Sequence, residues 1–176
     1  MLISVIVFTF NSSDTVLDTL NSLTRQFYSE MEVLVCDDGS TDSTQVLVRN
    51  WLDSHAHLFV RAILLPSQKN EGICKNVKKG FSAARGEWIK PIAGDDLLEP
   101  EAIRKFAEAA ELTDKDVLIS LLRTFGGNTR DVSIMPTAGD IKLILAPPDL
   151  LRDGLINRNP IPAPCVLIRR SSYEAV

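Results

Sequence analysis

Four short apolar runs, each followed by a segment of helical periodicity, narrow the folds open to this chain more than any other feature. Leu2 to Phe8 is nearly all apolar and rich in β-branched and aromatic residues, as a strand buried on both faces requires. Glu32 to Cys36, Phe59 to Leu65 and Trp88 to Ala93 repeat that character. Between the first two runs, Val16, Leu20, Leu23 and Phe27 fall at spacings of four, three and four, one stripe of a helix for which Ser12, Ser13 and Asp14 offer N-cap side chains. Ser40, Thr41 and Asp42 offer caps for a second helix running to about Leu52. Gly72 to Arg85 reads as a third, with Val77, Phe81 and Ala84 on its apolar face and Lys75, Lys78 and Lys79 on a solvated one. Strand and helix in alternation predict an α/β fold: a Rossmann-like, doubly wound, mostly parallel sheet with helices on both faces.

That topology has a chemical consequence. Right-handed crossovers bring the carboxyl ends of parallel strands to one edge of the sheet, where open α/β folds bind their ligands. Three polar clusters stand at those ends: Thr9 to Asn11, Asp37 to Ser40, and Gly94 to Asp96. They are expected to line one crevice, and its acids and hydroxyls suit the base, ribose and bridging metal of a nucleotide better than naked phosphate. Gly94 lets the backbone turn where a ligand comes close. On an extended backbone Asp95 and Asp96 would point to opposite sides, one accepting from a sugar hydroxyl while the other coordinates a hard divalent cation. No glycine-rich dinucleotide fingerprint follows the first strand, which ends F-T-F-N-S-S. A Walker-type loop is absent too, as are a G-x-S-x-G elbow and a nucleophile triad.

The remaining chain carries less pattern. Pro100 is placed as the first residue of a helix, with Ile103, Phe106, Ala107 and Ala110 as its core stripe. Val117 to Leu122 reads as a buried strand, Arg123 to Asp140 as a loop with a short strand at Val132 to Met135, and Pro147 to Asp149 as a helix start. Asn159 to Pro164 is stiff and extended; Cys165 to Ile168 is a last strand before a cap at Ser171 or Ser172.

Composition excludes several function classes. The 176 residues, 45% apolar and 24% charged, suffice for one soluble domain with one core. A net charge of −4 leaves no basic footprint for nucleic acid. No apolar run approaches the ~18 residues of a membrane span, and the strand-like stretch from Leu2 to Phe8 lacks the basic start and cleavage site of a signal peptide. Cys36, Cys74 and Cys165 show no zinc or redox spacing, and His55 and His57 read as surface residues. The expected location is cytoplasmic, with peripheral association at the inner face of a membrane as a further expectation.

The motifs S-V-I-V-F-T-F-N, C-D-D-G-S-T-D-S-T, N-E-G-I with A-A-R-G-E-W-I, and G-D-D-L-L-E-P occur in that order between Ile3 and Pro100. Together they resemble the family 2 glycosyltransferases of the GT-A fold, which use nucleotide-diphosphate sugars. Asn159 to Arg170 is similar to the family's acceptor-side strand. The resemblance implies that residues 1–100 form the nucleotide-sugar half of a single domain and residues 101–176 begin its acceptor-side half. It implies that Thr9 and Phe10 border the nucleobase, with Asn11 also in the nucleotide-sugar site, that Asp38 bonds base or ribose, that Asp95 holds the ribose, and that Asp96 binds Mn²⁺ or Mg²⁺. Asn76 or Lys75 would also reach the nucleotide. The activity implied is inverting transfer of a hexosyl group, from a donor expected to be UDP-linked, to a carbohydrate or lipid-linked hydroxyl acceptor. Polysaccharide biosynthesis is the expected setting.

Phe8 stands where the family often has Pro, Phe10 where Tyr is common, and Gly94 where another Asp or a Thr is frequent. No acid lies near Pro162 to Ile168 to serve as the catalytic base; Asp149 and Asp153 are the weak candidates, with Glu174 almost at the chain end. The family's catalytic domains generally continue further, so the chain is expected to be an N-terminal fragment that binds nucleotide but transfers sugar poorly. Alternatives are a non-catalytic nucleotide-binding module of the same fold and a receiver-like signalling domain. The second wants an acid pair after the first strand and a lone Asp after the third, whereas those strands end in Thr9-Phe10-Asn11 and Pro66-Ser67.

Overall fold

The computed structural model describes residues 1–125, 133–157 and 159–174. Its main sheet has six strands: β1 (Ile3–Thr9), β2 (Met31–Asp37), β3 (Arg61–Pro66), β4 (Trp88–Ala93), β5 (Val117–Ile119) and, late in the chain, β8 (Val166–Arg169). Their order is β3-β2-β1-β4-β8-β5, with β1 parallel to both β2 and β4, β2 parallel to β3, and β8 antiparallel to β4. Two short strands, β6 (Leu122–Arg123) and β7 (Ile134–Met135), pair separately.

Helices cover both faces. One face packs α1 (Val16–Thr24), α2 (Thr44–His55) and α4 (Ala102–Glu111) on Ile3, Val5, Val7, Val33 and Trp88. The other packs α3 (Ile73–Ala83) on Ile6, Leu34, Cys36 and Ile89 through Phe81 and Val77. Ile3, Val5 and Val7 of β1 join the first cluster and Ile6 and Phe8 the second, so the strand is apolar on both faces but for Ser4 and the terminal Thr9. Burying each such Val, Ile or Leu is worth about 1.5–3 kcal/mol. Glu32, an acid inside β2, is tolerated because its carboxylate accepts from Ser4 Oγ (2.5 Å), the Arg85 amide (2.6 Å) and Arg61 Nη1 (3.2 Å). Arg169 secures β8: its guanidinium lies 4.4 Å from the Trp88 ring centroid and 2.9 Å from both Glu87 and Asp116.

The chain divides into two compact units, residues 1–118 with 167–176, and residues 119–166. Within the second, α5 (Ala138–Ile144) opens on a capping box between Thr137 and Asp140, and α6 (Pro148–Asn157) follows.

Several elements differ from expectation. Helix α1 ends at Thr24, so Phe27 lies past it and is 66% exposed. Its N-cap position is Thr15, not Ser12 to Asp14, and the Thr15 hydroxyl donates to the Gly94 carbonyl instead of capping. Pro100 precedes α4 by two residues. The stretch Val117 to Leu122 is not one buried strand; β5 and β6 share it, and Val117 is exposed. Ala138 to Asp140, read as loop, begin α5 because the Thr137–Asp140 box caps them. Of the strand placed at Val132 to Met135, Ile134 and Met135 form β7, and Val132 lies outside the described residues. Gly126, Gly127 and their neighbours to Asp131 also lie outside them. So do Val176 and the Glu174 side chain.

Candidate nucleotide-sugar site

The ends of β1, β2 and β4 meet in register. Thr9 pairs with Asp37 across β1–β2, and Phe8 with Ala93 across β1–β4. The Asp38 amide donates to the Thr9 carbonyl (2.9 Å) and the Gly94 amide to the Phe8 carbonyl (2.9 Å). All three polar clusters therefore converge on one edge, as the strand pattern predicts.

Asp37 is the buried hub. Its carboxylate accepts from Thr9 Oγ1 (2.9 Å), the Ser40 amide (2.9 Å), Ser40 Oγ (2.5 Å) and Gln45 Nε2 (2.7 Å). Four donors leave it no capacity for a ligand, so it holds the turn together. Asp38 is 4% exposed and accepts from the Glu71 and Gly72 amides, both at 2.9 Å. It thereby fastens the segment after β3 to the turn after β2. Gly39 makes the approach possible: with φ at +74°, a Cβ there would sit 2.4 Å from the Lys69 carbonyl carbon.

Asn11 occupies the left-handed region (φ 51°), and its Oδ1 accepts from the Thr41 amide at 2.9 Å while its own amide donates to Ser40 Oγ at 2.8 Å. Its visible work is to join the loops after β1 and β2. Asp42 links the same loops by accepting from the Ser13 amide and also accepts from the Thr44 amide; the Thr44 hydroxyl foremost, with these amides, lowers its carboxyl to about 2. Phe10 stands out from this network, 46% exposed, a free aromatic face at the mouth of the site.

The Asp95-Asp96 pair sits in a tight turn, closed by the Asp96 amide donating to the Ala93 carbonyl (3.1 Å), rather than on extended backbone. The acids still differ in surroundings: Asp95 is exposed, while Asp96 is half-buried and accepts from the Ala93 amide through Oδ2 (2.9 Å). Burial, and secondarily the charge of Asp95, push the Asp96 carboxyl above its usual range, against the Ala93 hydrogen bond and the buried Lys90. A half-buried acid destabilised by its neighbour's charge draws a cation. Among the described residues no three metal-ligating side chains gather, so a hard cation held by this pair would need further oxygen ligands from outside the chain's side chains. Gly94 is required by packing: a Cβ there would lie 2.9 Å from Thr9 Cγ2 and 3.2 Å from Ser12 Oγ.

Asn76 is buried, with Nδ2 donating to the Cys36 carbonyl (2.8 Å), whereas Lys75 is exposed and paired with Glu71. Lys79, read as part of a solvated face, instead reaches Asp37 and Ser67. Nothing in its helical spacing separates it from a lysine that faces water. Burial pushes the Cys36 thiol up to about 12, which removes it as a nucleophile. Asp149 and Asp153 are exposed on α6, in the second unit.

The sequence matches the description Glycosyl transferase family 2 over residues 4–176. The succinoglycan biosynthesis protein ExoO of Rhizobium meliloti is 32% identical over 120 residues, 68% of this chain and 33% of that protein. The chondroitin synthase of Escherichia coli is 34% identical over 102 residues, 58% of this chain and 14% of its own length. Crystal structures of S. aureus TarS share the GT-A fold: the complex with UDP superposes with a TM-score of 0.74 at 24% identity, covering 99% of this chain and 48% of that one. The mannosyltransferase PcManGT of Pyrobaculum calidifontis, in complex with GDP-Man and Mn²⁺, gives 0.65 at 20%, covering 98% and 46%. The chain thus spans about a third to a half of most such relatives. With its family match running nearly end to end, the chain belongs to glycosyl transferase family 2.

Proposed function

We propose that this chain provides the donor-binding part of an inverting, metal-dependent glycosyltransferase acting on a nucleotide-diphosphate sugar, with UDP as the carrier. One observation carries the reading: at the joined ends of β1, β2 and β4, an exposed aromatic face, a buried acid and an acid pair with one perturbed carboxyl stand together. Phe10 stacks on the base and Thr9 and Asn11 frame it. Asp38 borders base and ribose, with Asn76 behind it, and Asp95 accepts from the ribose hydroxyls. Asp96 holds Mn²⁺ or Mg²⁺, which when bound neutralises charge on the departing diphosphate. That UDP and GDP-Man occupy the related TarS and PcManGT structures supports a nucleotide at this place.

In the transfer, an acceptor hydroxyl oxygen bonds to the sugar's anomeric carbon from the face opposite the diphosphate. The bond to the diphosphate oxygen breaks, and a carboxylate takes the hydroxyl proton. Asp149 and Asp153 are the exposed acids among the described residues of the second unit, and so the first to replace. Incubation with Mn²⁺ and a panel of UDP-sugars, following UDP release with and without candidate acceptors, tests the reading. Binding with poor transfer is the expected outcome. Robust acceptor-dependent release that Asp149→Asn or Asp153→Asn abolishes would place the base within these residues. UDP-sugars that neither bind nor turn over would contradict the donor assignment.

A further inference from the structure

Resting on that nucleotide-binding reading, we propose that Lys79 is a positioning residue for Asp38. Its ammonium donates to the Asp37 carbonyl oxygen (3.0 Å) and to Ser67 Oγ (2.8 Å). The same carbonyl accepts the Ser67 amide at 2.9 Å, and on the other side of that peptide the Asp38 amide donates to the Thr9 carbonyl at 2.9 Å. The Asp37–Asp38 peptide is thus gripped at both its oxygen and its nitrogen, which fixes the direction in which the Asp38 side chain leaves the backbone. Asp38 then accepts from the Glu71 and Gly72 amides and seats the segment from Ser67 to Gly72 against the turn.

Charge makes this grip specific. A lysine on a helix ordinarily sends its ammonium to water, and holding one against neutral oxygens costs hydration that only good hydrogen bonds offset. The Asp37 carboxylate is already filled by Thr9, Ser40 and Gln45, so the ammonium meets the carbonyl instead. One helical turn earlier, Asn76 donates to the Cys36 carbonyl. Helix α3 therefore holds two consecutive carbonyls of β2 immediately before the acid, through side chains that need not touch the nucleotide.

The test compares Lys79→Met, which keeps the stem and removes the ammonium, with Lys79→Arg, which keeps a cationic donor. UDP affinity is read by calorimetry with Mn²⁺, and amide hydrogen exchange is read residue by residue. Lys79→Met is expected to weaken UDP binding roughly tenfold and to strip protection from the Glu71 and Gly72 amides. The Val5 and Val7 amides in β1 keep theirs, and Lys79→Arg restores both readouts. Unchanged affinity in Lys79→Met, equal loss of protection in β1, or no rescue by arginine would overturn the assignment. Failure of the unaltered chain to bind any nucleoside diphosphate would instead strike the nucleotide reading. The exchange at Glu71 and Gly72 would still report on the grip.

Discussion

Asp37 and Asp38 are adjacent acids with opposite fates, and so are Asp95 and Asp96. The sequence marks both pairs, because acids that end apolar runs are conspicuous, and it separates their members only through the family resemblance. What it could not show is that Asp37 collects four donors while Asp38 collects two backbone amides from a segment more than thirty residues away. Asp96→Asn is expected to abolish metal-dependent nucleotide binding, whereas Asp37→Asn leaves the metal dependence and lowers the melting temperature. Asparagine would set an N–H against donors already in place, at a cost of about 1–3 kcal/mol. Equal losses of nucleotide affinity in calorimetry would contradict this division. The raised carboxyl of Asp96 adds a stability effect of definite sign. Its folded pKa lies above its unfolded one, so the penalty is absent below the unfolded value, grows as pH rises between the two, and is complete above the folded value. Asp96→Asn should therefore raise the apo melting temperature at neutral pH and leave it unchanged in strong acid; thermal unfolding across pH checks both. Asp38→Ala should weaken nucleotide binding about tenfold to a hundredfold with or without Mn²⁺, which titrations in both conditions would reveal.

At the scale of elements, apolar strands and helical stripes were legible where burial is strong and regular. The stripe Ile103, Phe106, Ala107 and Ala110 is buried as its spacing demands. Phe27 continues a stripe in sequence but not in space, because the helix ends first and periodicity carries no stop signal there. The break between β5 and β6 and the start of α5 were illegible for a related reason: half-exposed strands give no clear pattern, and Thr137 with Asp140 reads equally as loop. Lys79 shows the limit for polar residues, since a lysine that grips a strand end and one that faces water look alike on a helical wheel. Gly39 offers an element-level check. Gly39→Ala puts a methyl against the Lys69 backbone at a positive φ, so the Ser67 to Gly72 segment must move. A lower melting temperature and lost protection at Glu71 and Gly72 are expected; a silent substitution would mean that the two segments do not pack as described.

Across the whole molecule, a parallel sheet delivers side chains far apart in sequence to one edge, and its chemistry is set there. Thr9, Asp38 and Asp96 meet because β1 pairs with β2 on one side and with β4 on the other. The second unit offers exposed Asp149 and Asp153 but no motif to rank them, which is why donor binding is the claim at the centre. Nucleotide and metal that share a site stabilise the fold by mass action, and together by more than either alone. The direct measurement is thermal unfolding with a panel of nucleoside diphosphates, each with and without Mn²⁺. A rise in melting temperature with UDP that Mn²⁺ enlarges, and that Asp96→Asn reduces to the metal-free value, is the predicted result. No rise with any nucleoside diphosphate, or a Mn²⁺ effect that survives Asp96→Asn, would contradict it.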